Sequence, residues 1–377
     1  MTATARTLTG NPASPAVRWY PYVGDAPPDT SPAPHPSRTR AWAAAWQYVT
    51  TEQVLDHRHL YVTDGTVAEA VSFYLVPGQG SPYWASQEAD AAVAPVWPGT
   101  VLYCGSPHAE YGGAGSGSPA LAFTTATAGL ELADALGAGA VVYPGLDHRQ
   151  AAVLADAGRS AAPGQVLDLA TDVAHTRPLG PTLDDWWAGI PARHRRDVRR
   201  QWRRGAEAGL TLQSLSGSRM LPHLPDFETL ANSTAARHGT ATLYGLDVLQ
   251  LLAEVPGSVL LAARHEGDLV GGMYGWLYGG CLYLWAAGVA YQHPVARSVY
   301  TWLMCEAARW GISQGADRID AGRANCRAKA RLGYRPEVLR TVVVLTSPQP
   351  TTVRALTRLS RRLGEQAAPY LGVGAAW

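Results

Sequence analysis

The sequence predicts an α/β protein with mixed sheets, folded as two domains. Three observations carry this reading. Segments of strand length and segments of helical period alternate along most of the chain, as a layered α/β architecture requires. The 377 residues, 47% hydrophobic and 16% charged, exceed one ordinary domain of about 150 residues and can bury a core in each half. A net charge of +1 hides a division, since residues 1–175 carry 7 arginines against 15 acids, a net −8, and residues 176–377 carry 24 cationic side chains against 15 acids, a net +9. A basic half suits a phosphate-rich partner, although helices in an arginine-rich composition also carry solvated arginines.

Other classes are excluded by composition. No apolar run reaches the ~18 residues of a membrane-spanning helix, and the first ten residues lack a signal core. Cys104, Cys281, Cys305 and Cys326 show no C-x-x-C pairing, so neither a metal site nor a disulfide framework is expected. A reducing cytoplasm is the simplest location.

Residues 1–40, rich in Pro, Ser and Thr, read as a tail with one short strand near 17–23. A first domain is expected over 41–176. It opens with a helix at 37–48 and a hairpin of 60–62 with 71–76, turned at Asp64-Gly65. A loop-rich stretch, 77–117, surrounds one strand at 99–103. It contains Tyr103, His108 and Glu110, of which His108 and Glu110 are a candidate acid/base pair and all three are candidates to shape an acceptor pocket. Helix 118–136, strand 140–143, helix 147–157 and strand 166–169 complete the domain.

The second domain is expected over 177–377, after a Pro- and Gly-punctuated connection. Thr182 reads as a helix N-cap with Asp184 and Asp185 in the first turn. Beyond Pro191, seven arginines fall within twelve residues. Arg196, Arg199, Arg200 and Arg203 share one helical stripe at i, i+3, i+4, i+7. Such a run is either a solvated face or a polyanion site. Like charges at i, i+4 repel, and an anionic partner would remove that cost. Helices at 225–238 and 246–253 follow, then a hairpin of 259–265 with 269–278, a strand at 281–289, a helix from Pro294 to about Gly311 and a strand at 317–321. The last helix, 351–371, places Arg354, Arg358, Arg361 and Arg362 on more basic surface.

The stretch from Asp320 to Tyr334 stands out because Lys329 is the only lysine beside thirty arginines. Lysine is a compact, tunable point charge and arginine a planar, permanent one, so the exception marks a place where one ammonium must meet one oxygen. It is expected near the mouth of a site, where replacement leaves folding intact. Asp320 and Gly322 close a strand, and Arg331-Leu-Gly-Tyr334 precedes another at 339–345.

This order, an aspartate and glycine ending a strand, a lysine shortly before Leu-Gly-Tyr, then a hydrophobic strand, resembles the C-terminal half of the Fem family. The resemblance covers about 183–346. It implies two tandem GNAT-like acyltransferase domains, the first degenerate. It also implies aminoacyl transfer from aminoacyl-tRNA to an amine, with no cofactor. The arginine stripe resembles the basic helix that opens the second half of such proteins, so Arg196, Arg199, Arg200 and Arg203 become candidates for the tRNA donor. Lys329 is carried over as the charge that stabilises the oxyanion. Asp320 is a candidate to orient or deprotonate the amine, and Arg323 or Asn325 to hold a substrate carboxylate. The glycine-containing loop by which GNAT enzymes hold coenzyme A reads Tyr291-Gln-His-Pro-Val-Ala-Arg-Ser298, without glycine, which disfavours the acyl-CoA-dependent alternative. No heptad run supplies a coiled-coil arm, which favours a small-molecule acceptor, as in specialised-metabolite biosynthesis. A non-catalytic nucleotide- or glycan-binding role is the remaining alternative.

Overall fold

The computed structural model describes residues 15–371 except 31–32, 50–52, 80–86, 90, 94, 107, 113, 115–117 and 238–244. The N-terminal part of the expected tail and the end of the helix expected at 225–238 lie outside the described residues.

One succession of elements occurs twice. The first is β1 (Ala16–Tyr20), α1 (Arg40–Trp46), β2 (Asp56–Thr63), β3 (Ala68–Pro77), β4 (Thr100–Cys104), α2 (Pro119–Leu136), β5 (Ala140–Leu146), α3 (His148–Ala161) and β6 (Val166–Pro178). After α4 (Leu183–Ala188) and α5 (Ala192–Glu207), the second is β7 (Thr211–Ser216), α6 (Leu224–Arg237), α7 (Leu246–Leu252), β8 (Ser258–His265), β9 (Asp268–Tyr278), β10 (Cys281–Val289), α8 (Ala296–Ser313), β11 (Arg318–Asp320), α9 (Cys326–Arg331) and β12 (Arg335–Leu345). Helix α10 (Pro350–Ala367) follows. Each succession runs as an antiparallel meander, a long helix, and a strand parallel to the meander's last: β5 pairs parallel with β4, and β11 with β10.

The chain forms two compact units, one mainly from residues up to Asp172 with Val338–Pro369, the other mainly from Val173–Glu337. The division therefore falls inside β6 and β12 rather than at the expected 176/177, and the C-terminal helix belongs with the first unit. Strand pairing is the reason. The first unit's strand order is β1-β2-β3-β4-β5-β12-β6, and the second unit's is β6-β11-β10-β9-β8-β7. The last strand of each succession has exchanged sheets, β12 pairing with β5 and β6 with β11. A β6 reaching Pro178 replaces the short strand expected at 166–169.

Local chemistry sets the other boundaries. The β8–β9 turn is Glu266-Gly267, with φ of 52° and 96°, as a tight hairpin turn requires. Thr182 caps α4 by accepting from the Asp185 amide at 3.2 Å, while the Asp185 carboxylate accepts from the Thr182 amide at 3.1 Å. Helix α5 packs on α8 at Gly205, where any side chain would meet the Trp302 indole. The second unit's core includes Trp186, Trp187, Leu282, Val299, Trp302, Ile319, Leu332 and Tyr334. The first unit's is built around Leu60, Phe73, Leu102, Val141, Tyr143 and Val342.

Candidate active site

In each unit the parallel pair is short. Strand β11 has three residues, all paired with Cys281–Tyr283 of β10, so the remaining six residues of β10 run on past the end of β11. Ligands of open α/β sheets bind beyond the carboxyl ends of such strands. In the second unit this end carries Asp320 and the turn that leads to Lys329.

The turn is tightly specified. Asp320, 2% exposed, accepts from the Gly322 amide at 2.9 Å. Gly322, Ala324 and Asn325 all take left-handed backbone, with φ of 71°, 61° and 51°. Only glycine adopts that region without cost, so two of the three positions are strained. Lys329 holds the turn. Its Nζ donates to the Gly322 carbonyl at 2.9 Å and to the Arg323 carbonyl at 2.5 Å. At 3% exposure it is buried, which corrects the expectation of a lysine at a site mouth. The chain needs an ammonium here because a compact cation with three donors can meet convergent carbonyls that a planar guanidinium cannot. Arg323 is half-buried and Asn325 exposed, and the Asn325 side chain bonds the Tyr300 hydroxyl.

Beside this turn lie Tyr334, which the sequence marked only as part of its Leu-Gly-Tyr motif, and two side chains that were not legible in the sequence, His175 and Arg177. His175, in β6, bonds the same Gly322 carbonyl through Nδ1 at 3.1 Å. Burial, with Lys329 adding to it, pushes the imidazole down to about 4. Arg177 is buried, donates to the carbonyls of Leu332 and Trp186, and lies 4.7 Å over the Trp186 ring. The Tyr334 hydroxyl is buried without a hydrogen-bond partner. Burial raises its pKa well above the usual phenol value.

The arginine stripe is divided. Arg196, Arg199 and Arg203 line a groove of about 720 Å³ with Arg195, Leu183, Asp184, Trp187 and Trp202. Arg199 sits 5.1 Å over the Trp187 ring. Arg200 turns aside to an ion pair with Asp197, which also receives Arg331 at 2.5 Å. Three of the four stripe residues therefore share a site, and the fourth shares the Asp197 carboxylate with Arg331.

The segment where a coenzyme A loop is expected is a turn, and α8 begins at Ala296 rather than at Pro294. Three of its amides are occupied. Val295 N–H donates to His293 Nδ1 at 3.3 Å, Ala296 N–H to the His293 carbonyl at 3.0 Å and Ser298 N–H to the Val295 carbonyl at 3.0 Å.

Tyr103, His108 and Glu110 lie in the first unit and are buried. Strand β4 ends at Cys104, so no strand carries His108 and Glu110 on one face. The segment holding them packs on β5. The Gly112 amide donates to the Gly145 carbonyl at 3.0 Å, and a Cβ at Gly112 would clash with the Pro144 carbonyl oxygen. Among the described residues no group of His, Cys, Asp and Glu could hold a metal ion. No described helix is long and apolar enough to cross a membrane.

A meander, a long helix and a short parallel strand make the second unit a GNAT-type unit, and together with the family match they support an acyltransferase. Residues 192–330 match the family model described as an acetyltransferase (GNAT) domain. Among solved structures the chain is similar to FemX, with a TM-score of 0.58 and 10% identity over 82% of this chain and 93% of that one. It is also similar to L-PGS from Bacillus licheniformis, with a TM-score of 0.50 and 14% identity over 77% of this chain and 86% of that one. A tandem GNAT protein from the clavulanic acid biosynthesis pathway gives a TM-score of 0.48 and 13% identity over 88% of this chain and 99% of that one. No curated protein matches. The expected likeness to the Fem family thus holds at the level of the fold.

Proposed function

We propose that this chain transfers an aminoacyl group from aminoacyl-tRNA to the amine of a small-molecule acceptor, in specialised-metabolite biosynthesis. The observation that carries the reading is where the cations lie. Arg196, Arg199 and Arg203 converge on one open groove, while the helix terminus that would cradle a pyrophosphate has Val295, Ala296 and Ser298 amides already bonded. A polyanion that lies along a groove suits the first arrangement, and a pyrophosphate on backbone amides does not suit the second.

In this reading the amine attacks the ester carbonyl of the donor. The buried charge of Lys329, delivered through the turn it holds, favours the developing oxyanion, because a fixed cation in a low-dielectric site acts without reorganisation. Asp320 shapes the same turn through the Gly322 amide and is a candidate to orient the amine of the acceptor or accept its proton. Arg323 and Asn325 are candidates for a substrate carboxylate, and Tyr103, His108 and Glu110 for shaping the acceptor pocket.

The experiment offers the protein labelled aminoacyl-tRNAs and a panel of small amines, and in parallel titrates acetyl-CoA by calorimetry. Amide product that disappears on prior hydrolysis of the tRNA ester is the expected result. Tight acetyl-CoA binding with acyl transfer would assign the acyl-CoA alternative. Groove binding without any turnover would assign a non-catalytic binder.

A further inference from the structure

Resting on the acyl-transfer reading above, we propose that His175 is a further catalytic residue, the group that carries the proton from the attacking amine to the leaving oxygen. Its geometry fixes which nitrogen is available. Nδ1 lies 3.1 Å from the carbonyl oxygen of Gly322, which can only accept, so Nδ1 carries the hydrogen and Nε2 holds a lone pair. The ring is 1% exposed and Nε2 has no hydrogen-bond partner. Buried polar atoms are nearly always paired, and an exception in a native fold needs a reason.

The surroundings supply one. The oxygen that holds Nδ1 also holds the Lys329 ammonium at 2.9 Å, so a neutral base and a cation are pinned side by side on one carbonyl. That carbonyl opens a turn whose Gly322, Ala324 and Asn325 take left-handed backbone, directly after β11 ends at Asp320. Strain of this kind persists where a function maintains it. The alternatives nearby are less suited to moving a proton. The Asp320 carboxylate is engaged by the Gly322 amide, and the unpartnered Tyr334 hydroxyl is a phenol whose ionisation burial opposes.

The step balances without a further reactant. As the amine nitrogen forms its bond to the ester carbon, one of its protons passes to Nε2. As the carbon–oxygen bond to the donor's hydroxyl breaks, Nε2 returns that proton to the departing oxygen. In the free protein the ring is covered, so the step requires that donor binding uncover Nε2 while Nδ1 keeps its bond to Gly322.

His175→Asn separates this role from a structural one. An asparagine amide nitrogen stands near the place of Nδ1 and keeps the bond to Gly322, while nothing remains at Nε2. With saturating aminoacyl-tRNA and acceptor, kcat should fall about 100-fold or more. The melting temperature and the KM for the donor should stay close to the wild-type values. A folded His175→Asn variant within about threefold of wild-type kcat would overturn the proposal. Should that variant not fold, carbethoxylation of the wild-type protein, mapped by mass spectrometry, decides. The exposed His148 should react throughout, and His175 only with deacylated tRNA bound, which leaves the place of the ester empty. A His175 that stays unmodified with deacylated tRNA bound would overturn the proposal. A wild-type protein that transfers nothing from any aminoacyl-tRNA or acyl-CoA would instead overturn the acyl-transfer reading, and this step with it.

Discussion

The Nζ of Lys329 lies 2.9 Å from the carbonyl oxygen of Gly322, and this bond makes the lone lysine of the chain an interior fastening of the turn that ends β11. Its second bond, to the Arg323 carbonyl, spans the left-handed stretch from the other side. A residue picked out by composition as a charge for chemistry is thus also what holds the backbone of the candidate site in shape.

That position predicts a stability effect. Lys329→Met removes the ammonium from two carbonyls: that of Gly322 keeps His175 Nδ1, and that of Arg323 loses the Nζ donor, at about 1–3 kcal/mol where such a group stays buried and unpaired. Lys329→Arg keeps the charge but cannot bring one nitrogen to both oxygens. Both variants should lower the melting temperature by several degrees and reduce turnover by about 100-fold. A melting curve unchanged by Lys329→Met would show that other groups fix the turn.

The division of the arginine stripe predicts unequal effects. Arg196→Gln, Arg199→Gln and Arg203→Gln combined should weaken tRNA binding and lower the slope of log affinity against log salt by about 0.7–0.9 for each phosphate that is no longer neutralised. Arg200→Gln should have the smaller effect on both, because that guanidinium is already engaged by Asp197 and does not line the groove. Binding isotherms over a series of salt concentrations read the difference, and equal effects from Arg200→Gln and the triple variant would contradict the groove.

Two buried imidazoles predict the acid limb of stability. His175 is pushed down to about 4 and His59 to about 3, in both cases chiefly by burial. The Gln47 amide nitrogen lies 2.6 Å from His59 Nε2 and Ser72 Oγ 2.8 Å from Nδ1, which suits a neutral ring that accepts at one nitrogen and donates at the other. Above an unfolded value of about 6.5 both states are neutral and the stability is fully present. As pH falls below it, the unfolded chain takes protons that the folded one refuses, so stability is lost towards the folded values, by up to ~1.4 kcal/mol per pH unit for each ring. Denaturant midpoints from about pH 7 to about pH 4 should fall accordingly, and His59→Gln should flatten part of that slope. A flat profile over this range would show that the rings are not held neutral.

Packing of α5 predicts a steric effect that propensity alone would reverse. Gly205→Ala removes about 1 kcal/mol of helix penalty. The added Cβ would lie 2.5–3.0 Å from three atoms of the buried Trp302. Overpacking of this kind costs about 1–3 kcal/mol, so the variant should melt lower than wild type. A higher melting temperature would show that Trp302 yields.

Much of the local structure was determined by the sequence alone, because it depends on interactions within a few residues. The Thr182 cap, the Glu266-Gly267 turn, the period of α5 and the strand before Asp320 all follow from short-range rules, and the Fem-like motif ending in Leu332-Gly-Tyr334 pointed to the right fold. Three things required tertiary structure. The exchange of β6 and β12 between sheets moved the domain division, since antiparallel pairing with β11 and β5 joins residues far apart in the chain. The burial of Lys329 depended on carbonyls that a folded turn brings together. His175 became visible only because β6 extends past Leu169 and sets its ring against Gly322, 147 residues away, a neighbour that no periodicity in the sequence encodes.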